Sequence, residues 1–117
     1  MTEATVWFNP SCSKCRTVHG LLEERGVAAD YVRYLDDTPA RAEIERVLKM
    51  VGSDDPRSIM RTGEAIYKEL ALANADRNTL LDAMVKHPIL IERPIVIVGD
   101  RAVVARPPEL ALDLLGE

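Results

Sequence analysis

Ala4-Thr5-Val6-Trp7-Phe8-Asn9-Pro10-Ser11-Cys12-Ser13-Lys14-Cys15 runs from a β-forming segment, through turn chemistry, into the start of a helix. Ala4 to Phe8 is short and rich in β-branched and aromatic residues, the composition of a strand. Asn9-Pro10-Ser11 interrupts it with residues that favour turns. From about Ser13 to Arg25 the pattern is helical, with Cys15, Val18, Leu21 and Leu22 on one face. Gly26 is suited to the left-handed position just past a helix end. Tyr31 to Leu35 reads as a second strand, so the N-terminal part of the chain is a strand–helix–strand unit.

Beyond this unit the pattern is helical over about residues 38–87. Thr38-Pro39 has the form of a cap followed by proline at the first helical position. Ile44, Val47, Leu48 and Val51 then form an amphipathic stripe that Gly52 ends. Asp55-Pro56 opens a helical turn through Met60. Glu64 to Leu70 reads as a short helix with Ile66 and Leu70 inward, and Asp76 to Lys86 as another carrying Leu80, Leu81, Met84 and Val85. After His87-Pro88 the β pattern returns. Ile95 to Val98, Gly99-Asp100 and Arg101 to Ala105 make a hairpin with a two-residue turn. Pro107-Pro108 begins a last helix with Leu110, Leu114 and Leu115 apolar. The order β-α-β, helical block, β-β-α predicts an α/β fold: a four-stranded mixed sheet with an inserted helical block, one domain over residues 1–117. This order resembles the thioredoxin arrangement.

Composition narrows the functional classes. The 117 residues are 47% hydrophobic and 29% charged, which is globular and not disordered. A chain of this length buries roughly 65–70% of its unfolded surface, enough for one core without disulfide staples. With 15 Lys and Arg against 19 Asp and Glu the net charge is −4, the wrong sign for a nucleic-acid or anionic-membrane binder. No apolar run approaches a membrane span, and the first residues carry neither a basic nor an apolar leader segment. The expected location is the cytoplasm, where two cysteines are more often redox-active or catalytic than cross-linked.

The cysteines stand where chemistry is favoured. A thiol at a helix N-terminus meets unpaired backbone N–H groups and the positive end of the helix dipole, which lower its pKa below about 8.5. Cys12, at the cap, is the candidate nucleophile, and Lys14 and Arg16 add positive charge nearby. Cys15 follows one turn later on the core side, within disulfide reach. Two inert buried cysteines, or a metal site built from Cys12, Cys15, His19 and His87, are the weaker readings. The Cys-x2-Cys-x3-His spacing on one helix is not a usual zinc pattern. Arg16, Arg61, Arg93 and Arg106 each lie near a break in secondary structure, and Arg93 and Arg106 each precede a proline, which holds them extended. Arginine binds tetrahedral oxyanions bidentately and stays charged. A thiolate among arginines on an acidic protein therefore points to an anionic substrate.

Four stretches carry a resemblance: Phe8-Asn9-Pro10-Ser11-Cys12-Ser13-Lys14-Cys15-Arg16, Ser58-Ile59-Met60-Arg61, His87-Pro88-Ile89-Leu90-Ile91-Glu92-Arg93-Pro94-Ile95-Val96 and Ala105-Arg106-Pro107-Pro108-Glu109. In this order and spacing the chain resembles the ArsC/Spx family, and within it the glutaredoxin-coupled ArsC-type arsenate reductases. The resemblance implies a thioredoxin-like fold, a cis peptide at Arg93-Pro94, and Cys12 as nucleophile. It assigns Arg61, Arg93 and Arg106 to the oxygens of arsenate. It further implies no bound cofactor, glutathione or another low-molecular-weight thiol as co-substrate, glutaredoxin or thioredoxin as reductant, and a monomer. Two positions depart from the pattern. Phe8 stands where such reductases often carry a histidine, and Cys15 where they usually carry Ser or Thr. The second departure is shared with the Spx-like branch, redox-sensing regulators that bind RNA polymerase. An Spx-like regulator and a general thiol–disulfide oxidoreductase are thus the alternative readings, and the retained Arg106-Pro107 weighs against the first.

Overall fold

The computed structural model describes residues 3–115. Strand β1 (Glu3–Phe8) leads through the turn into helix α1 (Ser13–Glu24), which returns to β2 (Ala28–Arg33). Helices α2 (Arg41–Val51), α3 (Ala65–Glu69) and α4 (Arg77–Lys86) follow, with short 3-10 turns at Pro56–Ile59, Leu72–Asn74 and Pro88–Leu90. Strands β3 (Ile95–Val98) and β4 (Arg101–Val104) and a 3-10 segment at Pro108–Leu115 complete the chain. The strand order is β2-β1-β3-β4, with β1 parallel to β2 and antiparallel to β3, and β3 antiparallel to β4. This is the mixed sheet expected from the sequence.

Alternation along the central strands divides the core in two. Ala4 and Val6 of β1 and Val96 of β3 face α1 and the C-terminal segment, packing with Val18, Leu22 and Ala111. Trp7 and Ile95 face the other way, into a larger cluster with Ile44, Val47, Leu48, Leu80, Leu81 and Met84. The helical block therefore covers one face of the sheet and α1 the other. Helix ends follow local chemistry. Gly26 (φ 66) and Gly52 (φ 91) take the left-handed conformation after α1 and α2, and Val27 N–H and Ser53 N–H reach back to the carbonyls of Leu22 and Leu48. Asp76 caps α4 by accepting from the Thr79 N–H at 2.8 Å.

Several boundaries differ from the sequence reading. The second strand lies over Ala28–Arg33 rather than 31–35, because pairing with β1 fixes the register Glu3↔Ala28 to Phe8↔Arg33. Tyr34, just past the strand, turns fully into the core, and Leu35 is exposed. Helix α2 starts two residues after the Thr38-Pro39 signal, with Ala40 at its cap and no side-chain cap bond. Leu70, expected inward, is 44% exposed, since α3 ends at Glu69; Val85 also faces outward. The last helix is 3-10, and Ala111 is its buried residue while Leu110, Leu114 and Leu115 are half-buried. Arg93-Pro94 is cis, and so is Arg106-Pro107, which the sequence reading did not anticipate. Among the described residues no helix is long and apolar enough to cross a membrane.

Ile91 is fully buried in the larger cluster, and its backbone bridges Met60. Ile91→Ala leaves a cavity where these segments meet and is expected to cost roughly 2–5 kcal/mol. Urea unfolding checks this, with a lowered midpoint at unchanged slope as the expected result.

Candidate active site

The turn between β1 and α1 sets the first thiol. The Asn9 side chain accepts from the Ser11 N–H at 2.9 Å, and the Asn9 carbonyl accepts from the Cys12 N–H at 2.9 Å. Cys12 becomes the cap residue of α1, extended at φ −90 and ψ 125, and its carbonyl accepts from the Arg16 N–H. Its side chain makes no formal cap hydrogen bond. The Cys15 and Lys14 N–H groups nevertheless aim at the large sulfur as cap donors would. Partial burial opposes ionisation of Cys12, but the Cys15 N–H, the Arg93 guanidinium, the Cys15 thiol and the Lys14 N–H outweigh it. The pKa falls from 9.0 to about 7.

Cys15 behaves oppositely. It is 1% exposed, and burial, together with its hydrogen bond to Cys12 and the Cys12 charge, raises its pKa to about 11 against the opposing pull of the Asn9 N–H and Arg93. The Asn9 N–H lies 3.5 Å from its sulfur. The pair is thus a readily ionised thiol beside one that keeps its proton, with no disulfide between them.

The arginines converge on the segment before β3. Arg61 N–H donates to the Leu90 carbonyl at 2.7 Å, and Glu92 N–H to the Ile59 carbonyl at 2.8 Å, tying the Met60–Arg61 segment to residues 90–92. Arg106 Nη1 donates to the Arg93 carbonyl at 2.9 Å and to Glu92 Oε1 at 3.1 Å. Arg61 Nη2 pairs with Glu64 at 3.6 Å. Arg61, Glu64, Glu92 and Arg106 line a cavity of about 310 Å³ with Met60, Thr62 and Gly63. Arg93 lies at the sulfur of Cys12 and beside Tyr34. The structure thus brings together Cys12, Cys15 and Arg93 in one cluster and Arg61 and Arg106 in an adjoining one, with Arg93 and Arg106 linked.

Arg16 is placed elsewhere. It is exposed and borders an apolar groove of about 360 Å³ with Phe8, Pro10, Cys15, His19 and Tyr31, and the cation at the Cys12 sulfur is Arg93. Phe8 packs edge-on against Tyr31 in this groove. His19 pairs with Glu23 at 3.3 Å and also stacks edge-on against Tyr31. His87 lies in the helical block beside Leu72 and Thr79. Among the described residues no three His, Cys, Asp or Glu side chains gather as a metal site. Sequence reasoning missed Glu64, Glu92 and Tyr34. Glu64 follows Arg61 by three positions and Glu92 adjoins Arg93, which were the available signals; Tyr34 gave none beyond its aromatic character.

A thiolate at the start of the first helix of a βαβ unit, with a second thiol one turn on, defines a thioredoxin-like thiol chemistry protein. The chain belongs to the ArsC family, whose model matches residues 7–114. It is 44% identical over 111 residues to an arsenate reductase of Neisseria meningitidis serogroup A, covering 93% of this chain and 95% of that protein. It is 42% identical over 112 residues to an arsenate reductase of Haemophilus influenzae, covering 94% and 97%. In structure it matches an arsenate reductase from Vibrio cholerae with a TM-score of 0.93 at 38% identity, over 97% of this chain and 98% of that one.

Alkylation of Cys12 by iodoacetamide is expected to rise with pH through a midpoint near 7, because the thiolate fraction grows there. Arg93→Ala removes the guanidinium and is expected to move that midpoint upward. A pH–rate profile followed by mass spectrometry of the Cys12 peptide checks both.

Proposed function

We propose that the protein is an arsenate reductase in which Cys12 is the nucleophile and Arg61, Arg93 and Arg106 bind the oxyanion. The observation that carries this reading is a Cys12 thiol depressed to about 7 with Arg93 at its sulfur. Half of such thiols are ionised at neutral pH, and the adjoining cation favours an incoming anion.

The Cys12 thiolate attacks arsenic(V), forming a sulfur–arsenic bond as one arsenic–oxygen bond breaks, and the released hydroxyl takes a proton from solvent and leaves as water. A second thiolate then attacks the Cys12 sulfur. The electrons of the sulfur–arsenic bond pass to arsenic, which leaves as arsenite, reduced by two electrons, while the two sulfurs are oxidised to a disulfide. Arg93, Arg61 and Arg106 compensate the negative charge on the arsenate oxygens throughout. The second thiol is Cys15 or a low-molecular-weight thiol such as glutathione. Glutaredoxin or thioredoxin returns the disulfide to thiols. A reaction that consumes reduced thiols fits the cytoplasm.

Burial makes Cys15 a thiol at neutral pH, which supports its attack only after its proton is lost to a neighbouring base or to the departing oxyanion. The closeness of the two thiols also supports a second reading, a thiol–disulfide switch, in which arsenate plays no part.

Arg93→Ala and Arg106→Ala are each expected to weaken arsenate use by roughly 1.5–3 kcal/mol, about 10–100-fold in kcat/KM, while the fold is retained. Steady-state arsenite release together with circular dichroism checks this. Unchanged kinetics in both variants would remove the basis for the oxyanion site.

With Cys15 as the resolving thiol, Cys15→Ser is expected to abolish turnover driven by thioredoxin and to spare a glutathione route. Mass spectrometry after arsenate treatment then finds a Cys12–Cys15 disulfide in the parent protein. Only a Cys12–glutathione mixed disulfide, with Cys15 free, assigns the step to the small thiol.

A further inference from the structure

Among the described residues, Tyr34 Oη, Arg61 Nη1 and Arg93 Nε are buried side-chain atoms without a hydrogen-bond partner. A buried polar group left unpaired is costly, and native structures keep few of them. These are of complementary kinds. The arginine atoms are donors, whereas a phenolic oxygen offers two lone pairs and one proton.

Their placement is also specific. The Tyr34 side chain is fully buried in the larger core cluster, immediately after β2, so its ring is held by packing. The Arg93 guanidinium lies against both the Cys12 sulfur and the Tyr34 hydroxyl. It stands close enough for its charge to act on that hydroxyl, yet no hydrogen bond of good geometry joins the two here. The charge of Arg61 reaches the hydroxyl as well. Burial holds the Tyr34 pKa above its ordinary value, so the group is a neutral phenol at working pH. Tyr34 is sealed from solvent. Arg93, by contrast, has further N–H groups to offer to Cys12 and to an anion once its Nε is engaged.

We propose that Tyr34 is the positioning residue for Arg93: its buried hydroxyl accepts the Nε–H of Arg93 when the guanidinium turns to hold an oxyanion, fixing the arginine's direction at Cys12. The anion half of this inference rests on the arsenate reading above. The half that concerns Cys12 stands on the geometry of Tyr34, Arg93 and Cys12 alone.

The test is Tyr34→Phe in the full chain, which keeps the ring and removes only the hydroxyl. Three quantities are read: the pH midpoint of Cys12 alkylation, the concentration of arsenate, phosphate or sulfate that half-protects Cys12, and the melting temperature. The midpoint is expected to move upward. The half-protecting concentration is expected to rise by roughly 3–10-fold, the loss of one hydrogen bond, with KM for arsenate rising more than kcat falls. The melting temperature is expected to hold. In an Arg93→Lys background, which lacks the Nε–H, Tyr34→Phe is expected to add nothing further.

A wild-type midpoint and wild-type protection in Tyr34→Phe overturn the proposal, as does a fall in melting temperature with neither shift, which marks a packing role. Full effects that persist in the Arg93→Lys background also overturn it, since Tyr34 then acts by another route. Failure of all three anions to protect the parent protein refutes the oxyanion reading instead, and the alkylation midpoint still decides the link from Tyr34 to Arg93. A Tyr34→Phe chain that does not fold is replaced by Tyr34→Leu, which enters the site without overpacking, offers no acceptor oxygen and is judged by the same readings.

Discussion

The backbone of residues 90–94 is the constraint on which the candidate site depends. Its carbonyls and N–H groups bind two remote parts of the chain: Arg61 N–H on the Leu90 carbonyl and the Ile59 carbonyl on the Glu92 N–H, then Ala105 N–H on the Pro94 carbonyl and Arg106 Nη1 on the Arg93 carbonyl. Arg93 belongs to this segment, Arg61 is tied to it by its own backbone, and Arg106 by its side chain and by the backbone of its neighbour Ala105. Pairing of β3 with β1 then carries the whole assembly to the end of the sheet where β1 opens into the Cys12 turn. Buried main-chain hydrogen bonds of this kind are kept because breaking one leaves both partners unpaired. The positions of the guanidinium groups are thus inherited from the sheet and do not depend on side-chain packing alone.

Charge is distributed to match. A protein of net charge −4 repels anions at long range, so any attraction must be local. Arg61 and Arg106 face Glu64 and Glu92 and arrive at the cavity already paired, at 3.6 and 3.1 Å. These carboxylates offset the repulsion between neighbouring guanidinium groups, and in the proposed reaction an incoming anion competes with them. Arg93 pairs with no carboxylate among the described residues and stands at the sulfur instead. In the proposed reaction Arg93 serves both the sulfur and the anion, whereas Arg61 and Arg106 reach the anion from their carboxylate partners.

Much of this was legible in the sequence, for identifiable reasons. Asn9-Pro10-Ser11 before an apolar helical stripe placed Cys12 at a helix start, because turn and cap preferences are local. Gly26, Gly52 and the Gly99-Asp100 turn were readable on the same ground. What failed depended on distant partners. The second strand was misplaced because its register is set by β1, and its own apolar run ends on Tyr34, which belongs to the core and not to the ladder. Leu70 looked inward by helical spacing, but α3 stops one residue before it. In the site, the type and number of arginines were readable while their pairings were not. Arg93 near Cys12 follows from topology, since it precedes the strand that runs beside β1 in a thioredoxin-like sheet; no local rule says that Arg106 reaches Glu92, or that Arg16 lies away from the sulfur.

The two cysteines show how far one turn of helix can separate identical groups. They share a sequence neighbourhood and a helix face, and free thiols would ionise alike. Cys12 occupies the cap, where the N–H groups of Lys14 and Cys15 and the Arg93 cation outweigh a modest loss of solvation. Cys15 lies inside the first turn and almost wholly out of water, where desolvation dominates and the neighbouring thiolate repels a second charge. The resulting values, about 7 and about 11, belong to a coupled pair, so ionising one thiol disfavours ionising the other. Such a pair attacks with one sulfur and retains a proton on the second. Once the first has formed a bond and lost its charge, one cause of the second thiol's raised pKa is gone and its burial remains. The order of events in a two-thiol reduction is therefore set by where the helix begins.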